Sequence, residues 1–443
     1  MKIYFVSLGC DKNLVDSEKM LGILGKKGYT FTDEETEAEV IIVNSCCFIG
    51  DAKEESIQTI LELAQQKDTG HCKVLLVTGC LAERYQEELM QELPEVDGCL
   101  GIASWDQIPD LIERTLQGNR TQIFKDHNTL PAGIYPRTLT AGGHYAYMKI
   151  AEGCNKRCTY CIIPKVRGAY RSVPMEELLA EAEQLAEQGV KELILVAQET
   201  TVYGVDLYGR KSLPELIHKL CQVAGIQWIR ILYCYPEEIT EELIQTIKEE
   251  PKVCHYLDIP IQHASDRILK RMGRRTTRAE ITERIARLRE EIPDIALRTT
   301  FISGFPGETE EDHQETMDFI DEIEFDRLGV FPYSAEEDTL AAEMEEQIPQ
   351  ELKEARRDEI MELQQEIAFA HCEEMTGIEL EVLIEGKVAD ENVYIGRTYM
   401  DAPDVDGYIF VNTGEALMSG DIVMVQVTGA HEYDLIGDMI EPE

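Results

Sequence analysis

The chain has 443 residues and a hydrophobic fraction of 44%, enough for about three domains with cores of their own. Its 85 Asp and Glu against 42 Lys and Arg leave a formal charge of −43, which repels phosphate backbones unless a local basic patch overrides it and suits a basic partner. No apolar run approaches the ~18 residues of a membrane span and residues 1–9 are too short for a secretory signal, so the expected compartment is the reducing cytoplasm, where the 13 cysteines serve as ligands or core thiols rather than disulfides.

The first 120 residues alternate strand and helix. MKIYFVSLG, AEVIIVNS and KVLLVTG are Val- and Ile-rich strand candidates, with VDGCLGI a weaker fourth. Helical patterns lie between them: VDSEKMLGILGKKG, ending on Gly28; AKEESIQTILELAQQ; and AERYQEELMQEL, stopped by Pro94. This rhythm predicts a doubly wound parallel α/β domain over residues 1–120. Cys10, Cys46 and Cys80 each fall at the C-terminal end of a predicted strand, 36 and 34 residues apart. Strand ends of an open parallel sheet share one edge, where ligands bind, so three thiols can converge there. A core role would instead scatter cysteines within the strands, as Cys99 is placed. Cys47, beside Cys46, should point the other way and reads as structural.

Residues 121–143, with Pro131, Gly133, Pro136, Gly142 and Gly143, read as a linker. Six strand–helix units follow over residues 144–348, with strands near YAYMKIA, KELILVA, WIRILYC, HYLDIPI, ALRTTFIS and DRLGVFPY. In SVPMEELLAEAEQLAEQG, Ser172 suits a helix N-cap and Gly189 a C-terminal stop. Six such units predict a partial (β/α)6 barrel with its chemistry in the loops after the strands. Residues 349–375 read as one long amphipathic connecting helix. Over 376–443, IELEVLIEG, VYIGRTYM, GYIFVN and DIVMVQVTGA are short strands between turns, predicting a small five-stranded β-barrel. The expected fold class is therefore multidomain α/β with a C-terminal all-β module.

EGCNKRCTYC, residues 152–161, is the strongest signal in the chain. It sets Cys154, Cys158 and Cys161 in a Cys-x3-Cys-x2-Cys array just after the first predicted barrel strand. Three thiolates at this spacing can hold three irons of a 4Fe–4S cluster and leave the fourth open. Zinc would want a fourth ligand close by, and none stands at typical finger spacing. This loop on a partial barrel resembles the radical S-adenosylmethionine superfamily. The resemblance implies that the open iron binds the amino and carboxylate groups of S-adenosylmethionine, and that an electron from the cluster cleaves the sulfonium to a 5′-deoxyadenosyl radical.

Cysteines in SLGCDKN, VNSCCFIG and VTGCLAERY ahead of that barrel, with a small TRAM-like β-domain behind it, make the whole chain similar to the methylthiotransferases. In that family the N-terminal trio holds a second 4Fe–4S cluster, which implies Cys10, Cys46 and Cys80 as its ligands. Two branches exist. One methylthiolates adenosine in transfer RNA; the RimO branch methylthiolates an aspartate of a small-subunit ribosomal protein, the twelfth. SLGCDKNLVDSE, the FI after Cys47, ILVAQETTVYGVDLYG, YLDIPIQHAS, TTFISGFPGETEEDH and DAPDVDG are similar to the RimO branch. Cys47 and Asp338 stand where the family pattern expects a small residue and a glycine.

Charge agrees with the ribosomal branch. From Cys372 onward there are 17 Asp and Glu and two basic residues, Lys387 and Arg397. Such a domain is a poor RNA clamp and could dock a basic protein, the plain alternative being a solvated acidic face. The implied reaction uses two S-adenosylmethionine molecules. One methylates a sulfur carried on the N-terminal cluster; the other supplies the radical that removes hydrogen from the aspartate β-carbon, which then couples with that sulfur. Rival readings are the transfer-RNA enzyme and a non-catalytic iron–sulfur carrier.

Candidate S-adenosylmethionine contacts are Gln198 and Gln262, which end the second and fourth barrel strands, Gly304 and Gly307 of GFPGE, Tyr160 beside the cluster motif, and Arg298. His263 reads as a hydrogen-bonded structural histidine, and Cys221, Cys234, Cys254 and Cys372 as core or surface thiols. The expected partners are the ribosomal protein or the assembled subunit, and a reductant such as flavodoxin or ferredoxin. A monomer with no membrane and no sequence-specific nucleic acid completes the expectation.

Overall fold

The computed structural model describes residues 1–440, so the last three residues of the range expected for the C-terminal module lie outside the described residues. The N-terminal sheet is six-stranded and parallel, with β1 (Lys2–Ser7), β2 (Thr30–Phe31), β3 (Val40–Ser45), β4 (Val74–Gly79), β5 (Gly98–Leu100) and β6 (Thr121–Ile123) in the order β2-β1-β3-β4-β5-β6. Its centre, β3 and β4, is buried at every residue, because helices cover both faces, and this is why VIIVNS and VLLVTG read as unbroken apolar runs. The two edge strands escape the pattern: β2 is two exposed residues and β6 three half-buried ones. β6 occupies the start of the segment expected to be linker, so the chain leaves this sheet only after Ile123.

The second sheet is also six-stranded, parallel and open. It runs β14 (Arg327–Pro332), β13 (Ala296–Ser303), β12 (Val253–Asp258), β11 (Trp228–Ile231), β10 (Glu192–Val196), β7 (Tyr145–Lys149). A short antiparallel pair, β8 (Ala151–Glu152) and β9 (Arg171–Ser172), brackets the cysteine motif. Alternation along these strands separates two cores. Leu193, Leu195, Ile229, Ile231 and Leu257 face the outer helices, while Ile194, Val196, Trp228 and Tyr256 face the concave side. Ser172 does not cap a helix: the helix Met175–Glu187 is capped by Pro174, and the Ser172 hydroxyl donates to Asp206 at 2.6 Å. Gly189 does terminate that helix, at φ +101°.

Gln350–Glu374 is one helix, as its pattern predicts. It delivers the chain to a closed barrel, β15 (Glu379–Lys387), β16 (Val393–Arg397), β17 (Ile409–Asn412), β19 (Asp434–Met439) and β18 (Ile422–His431). This barrel packs against the concave face of the open one at the N-terminal ends of its strands. Val382, Leu383, Met400 and Ala402 share a core with Tyr145, Trp228, Tyr256 and Ala296. The loop DAPDVDG supplies the polar joint. Asp401 pairs with Arg327 at 2.6 Å, Asp404 accepts from the Tyr145 hydroxyl at 3.2 Å, and Asp406 accepts from Tyr256 at 2.8 Å. Arg397, counted above among the domain's two cations, is buried between Glu192 (2.7 Å) and Glu385 (2.5 Å). Part of the charge that the sequence suggested for partner binding is therefore internal.

Candidate active site

The C-terminal ends of both parallel sheets meet at one domain interface. In the N-terminal domain Cys10 caps the helix Asp11–Lys26, Cys46 follows β3, and Cys80 is the first residue of the helix Cys80–Glu92. Cys10 and Cys80 thus sit at helix N-termini. Glycine makes the turns possible. At Gly9 (φ +87°) a Cβ would stand 2.8 Å from Cys46 Cβ, and at Gly79 (φ +91°) 2.4 Å from Asn44 Oδ1. Burial pushes the Cys80 thiol well up; Cys47, Cys10 and Cys46 act in the same direction and Arg167 opposes them. Cys46 is likewise raised by burial, with the charge of Cys10 adding to it. Cys47 points into the domain core, and burial raises its thiol to about 11.

The barrel trio follows β8. Its loop is pinned by backbone bonds from Cys154 N–H to Gly168 (3.1 Å), Thr159 N–H to Met272 (2.9 Å) and Cys161 N–H to Cys158 (3.1 Å). The Lys156 N–H donates to Cys154 Sγ at 3.4 Å, and the Tyr235 hydroxyl lies 3.6 Å from Cys158 Sγ. Burial raises Cys154 to about 11 and Cys161 further, and the neighbouring thiols of the trio add to both. Among the described residues no three His, Cys, Asp or Glu side chains form a ready metal cage. Each trio is a set of soft sulfur donors instead, and a metal that takes a thiol displaces its proton. All-sulfur donor sets of this kind suit an iron–sulfur cluster better than a hard cation.

Between the trios lies a buried ion cluster. Lys149 Nζ is 2.5 Å from Asp16 and 2.7 Å from Glu152, and Arg167 forks onto both oxygens of Glu152 at 3.0 and 2.9 Å. Asp16 comes from the N-terminal domain, the other three from the barrel. Tyr233, left-handed at φ +61° after β11, donates its hydroxyl to Asp11 at 3.2 Å, and Lys12 Nζ stands 3.2 Å over its ring. Ile162 and Val166, just past the cluster motif, pack into the N-terminal core.

The expected cofactor contacts divide. Gln198 faces this centre and donates to Glu152 at 3.1 Å, its own Oε1 buried without a partner. Gln262 holds a left-handed backbone, φ +77°, bridged to Phe301. Tyr160 lies over a small apolar cluster with its ring edge toward Phe305, centroids 6.5 Å apart. Arg298 is taken: it pairs with Asp258 at 3.0 Å and Asp406 at 3.4 Å. Gly304 and Gly307 need correction. The close approaches they permit are to Lys353 Cγ (2.3 Å from a built Cβ) and to Glu346 and Arg271, so their freedom serves packing of the connecting segment. His263 is buried, accepting from the Ser265 N–H at 2.9 Å, with Glu308 3.4 Å away.

Five residues went unread in the sequence: Glu152, Arg167, Glu199, Tyr235 and Arg274. Glu199 is buried, its Oε2 without a hydrogen bond and 3.8 Å from Lys156 Nζ, and desolvation lifts it to about 7. Arg274 lies 4.2 Å over the Tyr235 ring, near Cys158, with Nε and Nη1 buried and unpartnered. Buried polar atoms without partners are rare away from ligand sites, so the surroundings of the barrel trio fit a polar cofactor. Glu152 and Arg167 flank the cysteine motif, but Lys156, Arg157, Lys165 and Arg171 stand in the same stretch, so charge alone does not single them out. Arg274 in KRMGRR looks like any solvated basic run.

Three family models match the chain: the radical SAM superfamily over residues 148–320, an uncharacterized protein family (UPF0004) over 2–101, and the TRAM domain over 376–440. Among curated proteins, a ribosomal protein uS12 methylthiotransferase RimO of Lachnoclostridium phytofermentans is 62% identical over 437 residues, 99% of each chain. Proteins of the same name from Pelotomaculum thermopropionicum and Clostridioides difficile are 51% and 49% identical, over 99% of each chain. Among solved structures, the radical S-adenosylmethionine methyltransferase TsrM of Kitasatospora setae with cobalamin and a 4Fe–4S cluster bound superposes at TM-score 0.55 and 15% identity, covering 75% of this chain and 72% of that one.

Proposed function

This chain belongs to the RimO family of ribosomal protein uS12 methylthiotransferases, and from that membership we propose the reaction it performs and the residues that perform it. It is a radical S-adenosylmethionine enzyme that methylthiolates ribosomal protein uS12, and it uses an iron–sulfur cluster. The finer reading is that the acceptor is an aspartate β-carbon and that two 4Fe–4S clusters take part. Cys154, Cys158 and Cys161 would hold one, and Cys10, Cys46 and Cys80 the other. The observation that supports this reading is the placement of two separate thiol trios on either side of one interface, Cys46, Cys80, Cys154 and Cys158 buried and Cys10 exposed, with Arg167 bonded to both Cys80 and Glu152.

Cys154, Cys158 and Cys161 would hold an iron–sulfur cluster, which would supply the electron for cleavage of S-adenosylmethionine. The chain's own part is to bind, orient and exclude water. Arg274 offers two donor nitrogens without hydrogen-bond partners to an anionic group of the cofactor. Tyr160 and Phe305 form an apolar wall beside them. Burial of Cys154 and Cys158 keeps water from the reacting centre, which matters because a primary radical attacks whatever lies nearest. A basic substrate protein is drawn by the charge of −43, and a small acidic electron carrier is excluded from most of the surface by the same field. The proposed reductant, of flavodoxin or ferredoxin type, therefore has to dock at a local basic spot.

Mass spectrometry of ribosomal proteins and transfer RNA from a strain lacking the gene tests the reading. Loss of one SCH3 group from an aspartate of uS12 is expected. An unchanged uS12 with a vanished methylthioadenosine would sink it.

A further inference from the structure

We infer that Arg167 is a positioning residue for the N-terminal trio. It reaches from the barrel across the domain interface to hold the Cys80 sulfur and to set the reduction potential of the cluster proposed there. The inference rests on the two-cluster reading above.

A guanidinium has five N–H donors, and here all five are spent. Nε and Nη2 each donate to Cys80 Sγ at 3.3 Å; Nη1 donates twice to Glu152; Nη2 also donates to Asn13 Oδ1. The side chain is 1% exposed, so none of these bonds competes with water. Two of the partners, Cys80 and Asn13, belong to the N-terminal domain. Asn13 in turn donates to the Leu8 and Ser45 carbonyls at 3.0 Å, which ties the turns carrying Cys10 and Cys46 to the same guanidinium. Arg167 itself lies six residues after Cys161, in the segment whose Ile162 and Val166 enter the N-terminal core. One side chain thus fixes the third thiol of one trio to the loop of the other.

The charges around it sum to zero: Arg167 and Lys149 against Asp16 and Glu152. Within that neutral cluster the two N–H···S bonds still act on the sulfur directly. Hydrogen bonds to ligating sulfurs withdraw electron density and raise a cluster's potential. Removing them makes that cluster harder to reduce. The barrel trio has no contact with Arg167 through its sulfurs, so its potential is expected to stay put.

The test is redox titration, followed by electron paramagnetic resonance, of reconstituted full-length protein. Arg167→Gln combined with Glu152→Gln removes the bonds and keeps the buried cluster neutral; Arg167→Lys keeps the charge and loses the fork. The expected result is a more negative midpoint for the Cys10/Cys46/Cys80 signal, identified by its absence from a Cys46→Ala protein, with the Cys154/Cys158/Cys161 signal unmoved. Loss of iron from the N-terminal trio alone in both variants is the same result in its strongest form. Unmoved midpoints, equal shifts of both signals, or iron lost from both trios alike overturn the inference. Wild-type protein that binds only one cluster defeats the two-cluster reading instead.

Discussion

At the residue scale, the six candidate cysteines stand out in the sequence and the side chains that hold them do not. Cysteine spacing is a local property, so Cys154, Cys158 and Cys161 announce themselves in ten residues. Replacing Cys161 by Ala is expected to abolish 5′-deoxyadenosine formation and remove about half the iron. Replacing Cys46 by Ala should remove a similar share yet leave cofactor cleavage intact; iron assay and chromatography of the nucleoside separate the two. Glu192 makes the same point for stability. It is fully buried at the head of β10 and joins Arg230 and Arg397, each at 2.7 Å, but in the sequence it is only a glutamate opening a strand. Removing one partner of such a cluster leaves buried charge uncompensated, so Glu192→Gln is expected to cost roughly 3–5 kcal/mol in urea unfolding. Arg298 is a case the sequence leaves open. A cation on a barrel strand reads equally as a cofactor ligand or as the partner of an acidic neighbour, and in the structure it pairs with Asp258 and Asp406.

At the scale of elements, strands that are buried on both faces were readable and edge strands were not. β3 and β4 carry their burial in composition; β2 and β6 are two and three residues long, shaped by pairing with a neighbour rather than by their own side chains. β19 was missed for a related reason, since DLIGDM alternates weakly and closes the barrel only by pairing parallel to β17. The strand-to-helix turns are where elements become a site. Alanine at Gly9 must adopt φ +87° and meets Cys46, costing roughly 1–2 kcal/mol for the backbone alone. The expected outcome is a protein whose N-terminal iron is depleted while circular dichroism and the barrel's cofactor cleavage are retained.

At the scale of the whole molecule, three bodies are held by ion pairs that the linear charge count cannot place. Arg137, from the linker, joins Glu18 of the first domain (2.6 Å) to Glu181 of the second (3.0 Å), with Lys19 on Glu181 at 2.9 Å. Desolvation pushes the Glu181 carboxyl up, but Lys19 and Arg137 more than offset it and hold it below the usual range. A carboxyl depressed in the folded state stabilises above its unfolded pKa, about 4.3, and that contribution is lost as pH falls through the folded value. The interface is thus expected to hold from neutrality down to about pH 5 and to loosen below about pH 4, seen as faster proteolysis within residues 121–143. Outward charge has a separate signature. Capture of basic uS12 should slow by roughly tenfold or more as salt rises, measured by stopped-flow mixing.

The sequence by itself determined the succession of two parallel α/β bodies and a β-barrel, and the family, and it singled out six cysteines as the candidate cluster ligands. All of these reside in short-range spacing and in hydrophobic periodicity, which survive without knowledge of what packs on what. Only the tertiary structure decided that the C-terminal barrel covers the N-terminal strand ends of the open one, that DAPDVDG and Arg397 are spent on that joint, and that Arg167 bonds Cys80. Charge on a chain has no direction. Whether an Asp faces water or an arginine 150 residues away is settled only when the surfaces meet, because desolvation makes an unpaired charge costly and selects the partner that neutralises it.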